Sequence, residues 1–168
     1  MSGVEREIND FLENNAREFL RRLKAYAQKH CKRISTGSSS MGSSVAARLI
    51  MIDESIKFDA RKTLRSDSNG RESRFDLYYK SEDVKFIVEL KPGKVGFRGA
   101  GQAAYYNACV GGQLDCVLLI GEDKGPDFDD FISKCITPDS WRKVVFLRYE
   151  ELGLDITKKP TRIAFRNV

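Results

Sequence analysis

The sequence is poor in the residues from which metal and redox centres are most often built. It contains a single histidine, His30, and four cysteines, at positions 31, 109, 116 and 135. No two cysteines are spaced as Cys-x-x-Cys, which argues against a structural zinc site or a dithiol redox pair. Cys109, Cys116 and Cys135 each lie in an apolar run, and this setting predicts buried, reduced thiols.

Two further absences narrow the functional class. The sequence has no Gly-Lys-Ser/Thr phosphate loop and no dinucleotide-binding fingerprint, so neither nucleotide hydrolysis nor an unrelated small-molecule enzyme is supported. No apolar run approaches the length that spans a membrane, and the N-terminus has a charged, helical pattern unlike a signal peptide. We therefore expect an intracellular protein with no membrane partner, in the cytoplasm or, in a eukaryote, the nucleus.

The composition that remains is that of an ordinary globular protein. The chain has 168 residues, of which 41% are hydrophobic and 32% charged. This length and balance predict one domain, residues 1–168, with its own core. The formal net charge is +5, a mild basic bias that is consistent with a polyanionic partner.

The central feature is a pair of apolar segments, residues 74–79 and 84–91, joined by four polar residues and predicted to form an antiparallel hairpin. Asp76 interrupts the first segment, and Glu89 and Lys91 interrupt the second. Side chains two positions apart on a strand project from the same side, and an acid on the neighbouring strand can meet them across the ladder. Two carboxylates beside a cation suit Mg²⁺ or Mn²⁺ better than zinc.

A salt bridge between Lys91 and Asp76 or Glu89 on a half-buried sheet is the structural alternative to a metal site. The second segment is almost continuously apolar, however, which predicts a central strand covered on both faces. Two acids and a lysine buried there are costly unless something compensates their charges. A divalent cation is the natural compensation, and until it binds the carboxylates raise each other's pKa.

A helix is predicted after this hairpin, from Gly101 to Val110, ending at two glycines. Gln102 and Tyr106 are four residues apart, so they share one face of it. The tyrosines of this helix either line a site or pack in the core. The preceding segment, residues 92–101, is predicted to be a mobile basic loop.

Asp76, followed thirteen positions later by Glu89-Leu90-Lys91 and then by Gln102-x-x-x-Tyr106, resembles the PD-(D/E)XK nuclease superfamily. The Gln-x-x-x-Tyr extension is similar to the RecB-like and archaeal NucS-like branches. The resemblance covers residues 70–120, and Phe75 stands where many members have a proline. It implies an α/β fold: a three-layer α/β/α restriction-endonuclease-like core with a mixed central sheet.

The resemblance also implies a function and roles for residues. The function is that of a Mg²⁺- or Mn²⁺-dependent phosphodiesterase, an endo- or exodeoxyribonuclease, with DNA favoured over RNA as the expected substrate. A catalytically silent nucleic-acid-binding or assembly module with the same fold is the alternative, and a homodimer is left open. Asp76, Glu89 and the Leu90 carbonyl would hold the metal. Lys91 and Gln102 would complete the catalytic set. The residues expected to contact nucleic acid are Lys94, Arg98, Tyr106 and Arg74.

A single long helix is predicted from Ser2 to about Lys32, opened by Ser2 as its cap. Members of the superfamily often add a further acid from this helix, and Glu5 and Glu18 are the candidates. The alternatives are that Glu5 belongs to the cap and that Glu18 is solvated. His30 is expected either at a solvated helix end or, less simply, as a general base.

The remaining predictions are a polar loop at 35–44, a strand or helical turn at 45–52, a strand or extended segment at 55–64, an Asn-Gly turn at 65–71, a parallel strand at 114–120, a helix at 127–135, a strand at 143–149 and an edge strand at 162–166. The polar loop and the Asn-Gly turn are each either solvated or in contact with a nucleic-acid backbone.

Overall fold

The computed structural model describes residues 2–34, 43–60, 63–65 and 72–167. Six α-helices form in these parts of the chain: α1 (Gly3–Asn14), α2 (Ala16–Ile34), α3 (Ser43–Leu49), α4 (Phe97–Val110), α5 (Phe128–Cys135) and α6 (Pro138–Trp141). The strands are β1 (Asp59–Ala60), β2 (Thr63–Arg65), β3 (Glu72–Arg74), β4 (Leu77–Lys80), β5 (Lys85–Leu90), β6 (Cys116–Gly121), β7 (Val144–Arg148), β8 (Leu154–Lys158) and β9 (Thr161–Phe165). No helix in the described ranges is both long enough and apolar enough to cross a membrane.

A mixed five-stranded sheet organises the fold, in the order β1-β4-β5-β6-β7. Strands β4 and β5 form the predicted antiparallel hairpin. Strands β5, β6 and β7 run parallel, each new strand being reached through a helix. The α/β class, the central hairpin and the parallel strand near 114–120 are therefore confirmed.

Strand β5 is central, and the alternation of its side chains separates two apolar clusters. Phe86, Val88 and Leu90 face a cluster built with α1, α2 and α3. Ile87 faces the other cluster, which includes residues of α4 and α5. Glu89 follows the alternation of Ile87, so it lies on the α4 side of the sheet. Burial on both faces explains why the strand reads as a continuous apolar run.

The N-terminal segment forms two helices rather than the single one predicted. The chain breaks at Asn15, whose backbone leaves the helical region at φ −119° and ψ 34°. Its side-chain amide donates a hydrogen bond to the Phe11 carbonyl at 2.8 Å, a local contact that competes with helix continuation. Ser2 caps α1 as predicted, since its hydroxyl accepts a hydrogen bond from the Glu5 amide at 3.1 Å.

Packing decides two local features that the sequence left open between alternatives. Residues 43–49 form a helix, the alternative to the strand, because Val45, Ala46 and Leu49 then bury one face. His30 is 5% exposed, and its ring centroid lies 4.2 Å from that of Tyr26, so the prediction of a solvated helix end is wrong.

The C-terminal strand and one cysteine also differ from prediction. Strand β9 pairs with β8 in a separate hairpin and not at the edge of the central sheet. Cys116 is buried as predicted, Cys109 is intermediate, and Cys135 is exposed because it ends α5 on the outward side. Residues 35–42 and 66–71 lie outside the described residues, and with them most of the polar loop and the Asn-Gly turn.

The basic segment at 92–101 is held more firmly than the predicted mobile loop. Helix α4 begins at Phe97, four residues earlier than expected. The Val95 side chain is 1% exposed, and its backbone amide donates to the Asp123 carbonyl at 2.8 Å. The Glu122 amide donates to the Gly93 carbonyl at 2.9 Å. The segment is therefore fixed by hydrogen bonds to the loop at residues 122–123 and by the buried Val95 side chain, and the prediction of a mobile loop is wrong.

Two glycines of α4 give a matched test of this packing. A Cβ at Gly99 would lie 2.7 Å from a methyl of buried Val95, and 3.7 Å from the Lys91 side chain. A Cβ at Gly101 would meet the Phe131 ring at 3.8 Å, an ordinary contact. We expect Gly101→Ala to stabilise the protein by about 1 kcal/mol, since alanine favours the helix. Gly99→Ala should instead destabilise by about 1–3 kcal/mol. Urea unfolding of both variants measures the difference, and equal effects would contradict the packing.

Candidate active site

The geometry of the β4–β5 hairpin brings the first residues of the site together. Asp76 immediately precedes β4, Glu89 is the penultimate residue of β5, and Lys91 follows that strand. Because Leu77 pairs with Val88, the continuing register puts Asp76 opposite Glu89. One Asp76 carboxylate oxygen accepts a hydrogen bond from the Leu90 amide at 3.3 Å. The structure therefore brings the two acids together at the end of β5.

Glu89 is the most unusual member of this group. It is 2% exposed, and its Oε1 atom has no hydrogen-bond partner among the described residues. Burial raises the pKa of Glu89 well above its ordinary value, and the Asp76 charge raises it further, while the Lys91 charge acts in the opposite direction. Buried polar atoms are normally paired, so the free oxygen is a position at which a ligand would be stabilised.

Lys91 belongs to a chain of hydrogen bonds that leads into α4. Its ammonium group donates to the Gln102 side-chain oxygen at 2.7 Å. The Gln102 amide donates to the Tyr106 hydroxyl at 2.8 Å, and that hydroxyl donates to the Arg74 carbonyl at 3.2 Å. Within the described part of the chain Lys91 forms no ion pair with an acid closer than 4.0 Å, so the salt-bridge alternative is not observed.

Tyr106 combines the two roles that the sequence left open. Its side chain is 9% exposed, and its ring packs edge-on against Phe75 with centroids 4.8 Å apart. Its hydroxyl nevertheless reaches Gln102 at the site. Burial, with the Glu89 charge as the next contribution, raises the pKa of Tyr106 to about 12. The hydroxyl therefore remains protonated at neutral pH and acts as a fixed donor.

The oxygen atoms available at this point are two carboxylates and a main-chain carbonyl. The Leu90 amide points toward Asp76, and in a strand the carbonyl of a residue points to the same side as its amide. No cluster of three or more histidine, cysteine, aspartate or glutamate side chains suited to a metal occurs in the ranges that the structure covers. The protein's own donor set is thus small and made entirely of oxygen.

The two candidate N-terminal acids differ in position. Glu5 is half-buried on α1, which contacts β5, and its charge contributes to the raised pKa of Glu89. Glu18 instead accepts hydrogen bonds from Arg21 at 2.6 and 2.9 Å and from Arg22 at 2.7 Å. These bonds, led by Arg21, hold its pKa near 2 against the effect of burial. The structure brings Glu5 near the site, whereas Glu18 is engaged in ion pairs.

The predicted nucleic-acid contacts lie around the site rather than in it. Arg74, Lys94 and Arg98 are exposed. Lys94 and Arg98 line a cleft of about 400 Å³ that also includes Lys91 and Gln102. This cleft places two exposed cations next to the Lys91–Gln102 hydrogen bond. A cleft of about 410 Å³ between α5 and β7 contains none of these residues.

Tyr149 is a site residue that the sequence did not reveal. It follows β7, is 6% exposed, and its hydroxyl donates a hydrogen bond to the Lys91 carbonyl. It fixes the backbone from which the Lys91 side chain projects. No motif marks it, because the contact joins residues that lie 58 positions apart.

Removing the Tyr149 hydroxyl is expected to weaken this end of β5. Tyr149→Phe should lower the free energy of unfolding by about 1–2 kcal/mol, because the buried Lys91 carbonyl loses its partner. Tyr105→Phe is the matched control, since Tyr105 is 44% exposed. Urea unfolding compares the two variants, and an effect no larger than that of the control would contradict the assigned contact.

No protein-family model and no curated protein matches this sequence. Among solved structures, a crystal structure described as a protein of unknown function, AF1548, is similar over 78% of this chain and 68% of that chain. The sequence identity is 12% and the TM-score is 0.40. A likeness at this level supports no argument about function, so the interpretation depends on the geometry of the site itself.

Proposed function

We propose that the protein is a metal-dependent nuclease that hydrolyses phosphodiester bonds in nucleic acid, with DNA as the preferred substrate. The observation that supports this most is the meeting of Asp76 and a deeply buried, incompletely hydrogen-bonded Glu89 beside Lys91. Such an arrangement is unfavourable in an isolated fold. It becomes favourable when a cation binds both carboxylates.

The donor set fits Mg²⁺ or Mn²⁺. Magnesium prefers oxygen ligands, retains several waters and is commonly held by only one or two carboxylates together with substrate phosphates. Asp76, Glu89 and the Leu90 carbonyl would supply the protein ligands, and Glu5 would contribute through water. When bound, such an ion lowers the pKa of a coordinated water and stabilises charge on phosphate oxygens.

The remaining residues of the site hold Lys91 in position, and Lys91 neutralises charge on the phosphate. Lys91, held by Gln102 at 2.7 Å, keeps its ammonium group at the edge of the carboxylate pair, where charge develops on the phosphate. Tyr106 holds Gln102 in turn, so the lysine is preorganised by a chain that ends on the Arg74 carbonyl. Groups fixed in this way need little rearrangement during the reaction.

The wider architecture and the surface charge are consistent with the proposal. Helices on both faces of a mixed sheet support a three-layer restriction-endonuclease-like core. Lys94, Arg98 and Arg74 are exposed cations around the site and are suited to phosphates. The formal net charge of +5 adds a general attraction to polyanions.

The direct test is a cleavage screen on single-stranded, linear, circular and branched DNA and on RNA, each with Mg²⁺, with Mn²⁺ and with EDTA. We expect cleavage that requires one of the metals and leaves 5′-phosphate and 3′-hydroxyl ends. Binding without cleavage of every substrate would favour the alternative, a silent nucleic-acid-binding module. Cleavage that persists in EDTA would contradict a metal-dependent reaction.

A further inference from the structure

Helix α4 exposes two aromatic side chains close to the site. Among the described residues, the exposed large hydrophobic side chains are Met51, Phe97 and Tyr105, and the last two lie on α4, at 49% and 44% exposure. A single exposed aromatic needs no explanation. Tyr105 is different because of its neighbours on the helix.

Arg98, Gln102 and Tyr105 form one strip along the surface of α4. Their spacings of four and three residues place them on one face of the helix. Gln102, in the middle of this α4 strip, is bound to Lys91. The ring of Tyr105 lies beside that of Tyr106, with centroids 6.1 Å apart. The Tyr106 hydroxyl accepts a hydrogen bond from the Gln102 side-chain amide. The strip therefore carries an exposed cation at one end and an exposed ring at the other, on either side of the site.

We propose that the α4 strip binds an unpaired segment of nucleic acid, with one base stacked on Tyr105 and a backbone phosphate at Arg98. The inference rests on the proposed nuclease function and specifies its substrate class: nucleic acid with single-stranded nucleotides at the cleavage site. Base faces are available for stacking only when they are not covered in a duplex, and aromatic rings beside cationic grooves are the usual means of binding single strands.

The dimensions of the strip agree with this occupant. Seven residues of helix separate Arg98 from Tyr105, which corresponds to about 10 Å along the axis. At a rise of about 3.4 Å per nucleotide, that distance is covered by roughly three stacked nucleotides, and by fewer in an extended strand. Lys94 lines the same cleft as Arg98 and adds a second exposed cation there.

Phe97 provides a matched control on the same helix. It is as exposed as Tyr105 but is offset from Gln102 by about 140° around the axis. Its ring contacts Phe131, with centroids 5.8 Å apart, so it faces α5 rather than the site. The Arg98 guanidinium lies 6.0 Å from the centroid of the Phe97 ring, but Phe97→Ala keeps the charge of Arg98. Loss of this exposed ring should therefore leave single-strand binding unchanged.

The test compares the binding of labelled oligonucleotides of one sequence, single-stranded, blunt-ended duplex and duplex with an overhang, by fluorescence anisotropy in EDTA. We expect the intact protein to bind the single strand and the overhang at least about 10-fold more tightly than the blunt duplex. Tyr105→Ala should weaken single-strand binding by about 5- to 100-fold without weakening duplex binding. Tyr105→Phe and Phe97→Ala should bind like the intact protein.

Two kinds of result would overturn the inference, and a third bears on the function itself. Equal binding of single strand and duplex by the intact protein would contradict it, as would an equal loss for both ligands in Tyr105→Ala. Failure to bind any nucleic acid would contradict the proposed function, whereas metal-dependent cleavage without a single-strand preference would leave that function standing and overturn only this inference. Urea unfolding of Tyr105→Ala, which replaces an exposed side chain, confirms that the variant is folded.

Discussion

Replacing Lys91 with alanine is expected to lower the rate of metal-dependent cleavage by about 10²-fold or more while nucleic-acid binding persists. The ammonium group is the only cation held by hydrogen bonding at the carboxylate pair, within the described residues. Its loss removes charge stabilisation in the transition state but few of the surface contacts that bind substrate. Single-turnover cleavage of a labelled oligonucleotide in Mn²⁺ measures the first quantity, and anisotropy in EDTA measures the second.

The control for this substitution is Lys80→Ala. Lys80 is exposed at the far end of β4, so the change removes the same charge from the same hairpin without touching the site. Cleavage by Lys80→Ala should stay within about threefold of the intact protein. Full activity in Lys91→Ala, or an equal loss in both variants, would show that the lysine acts only through net charge or not at all.

Replacing Glu89 with glutamine is expected to make the metal-free protein more stable and, at the same time, inactive. The buried carboxylate has an oxygen without a partner and a neighbouring acid, so its ionised form destabilises the fold. A neutral side chain of the same shape removes that cost. In a chain of this size each kcal/mol gained raises the melting temperature by about 2–4 °C. Thermal unfolding in EDTA measures the gain.

The pH dependence of this effect has a definite sign. The pKa of Glu89 is raised by burial in the folded protein, so the folded state retains this proton to a higher pH than the unfolded chain does. The stabilising contribution is present below the ordinary value of 4.5 and is lost as the pH rises through the raised pKa. The advantage of Glu89→Gln should therefore grow as the pH rises from the ordinary value of 4.5 toward the raised pKa of Glu89.

Glu82→Gln is the matched control, since Glu82 is an exposed glutamate in the turn of the same hairpin. It should leave stability, its pH dependence and cleavage unchanged. A Glu89→Gln variant that is less stable than the intact protein in EDTA would mean that the carboxylate is compensated within the fold and needs no cation.

The sequence predicted that the two acids and the lysine of the hairpin lie together because these residues are close along the chain. Asp76, Glu89 and Lys91 lie on two strands joined by a short turn, so the period-two alternation of a hairpin fixes their relation. The helical spacing of Gln102 and Tyr106 likewise fixed their shared face. What could not be foreseen is that Lys91 bonds to Gln102, since that contact depends on how α4 lies on the sheet.

The errors share a different origin, namely contacts between distant segments or competition within a few residues. The start of α4 was predicted too late because the glycines at positions 99 and 101 are typical of a loop. Gly99 is required by the close approach of Val95 and not by a turn. Tyr149 escaped notice because only the folded chain brings it to Lys91. The break at Asn15 depends on one side-chain bond to Phe11, and two adjacent asparagines are a weak signal for it.

The most direct test of the central claim is a calorimetric titration of Mn²⁺ into the intact protein and into Glu89→Gln, without nucleic acid, in two buffers of different ionisation enthalpy near pH 6. If Asp76 and Glu89 form a cation site, Mn²⁺ binds the intact protein with release of a proton, and Glu89→Gln loses both the binding and the proton release. Binding that is identical in the two proteins, or absent from both up to millimolar Mn²⁺, would contradict the account.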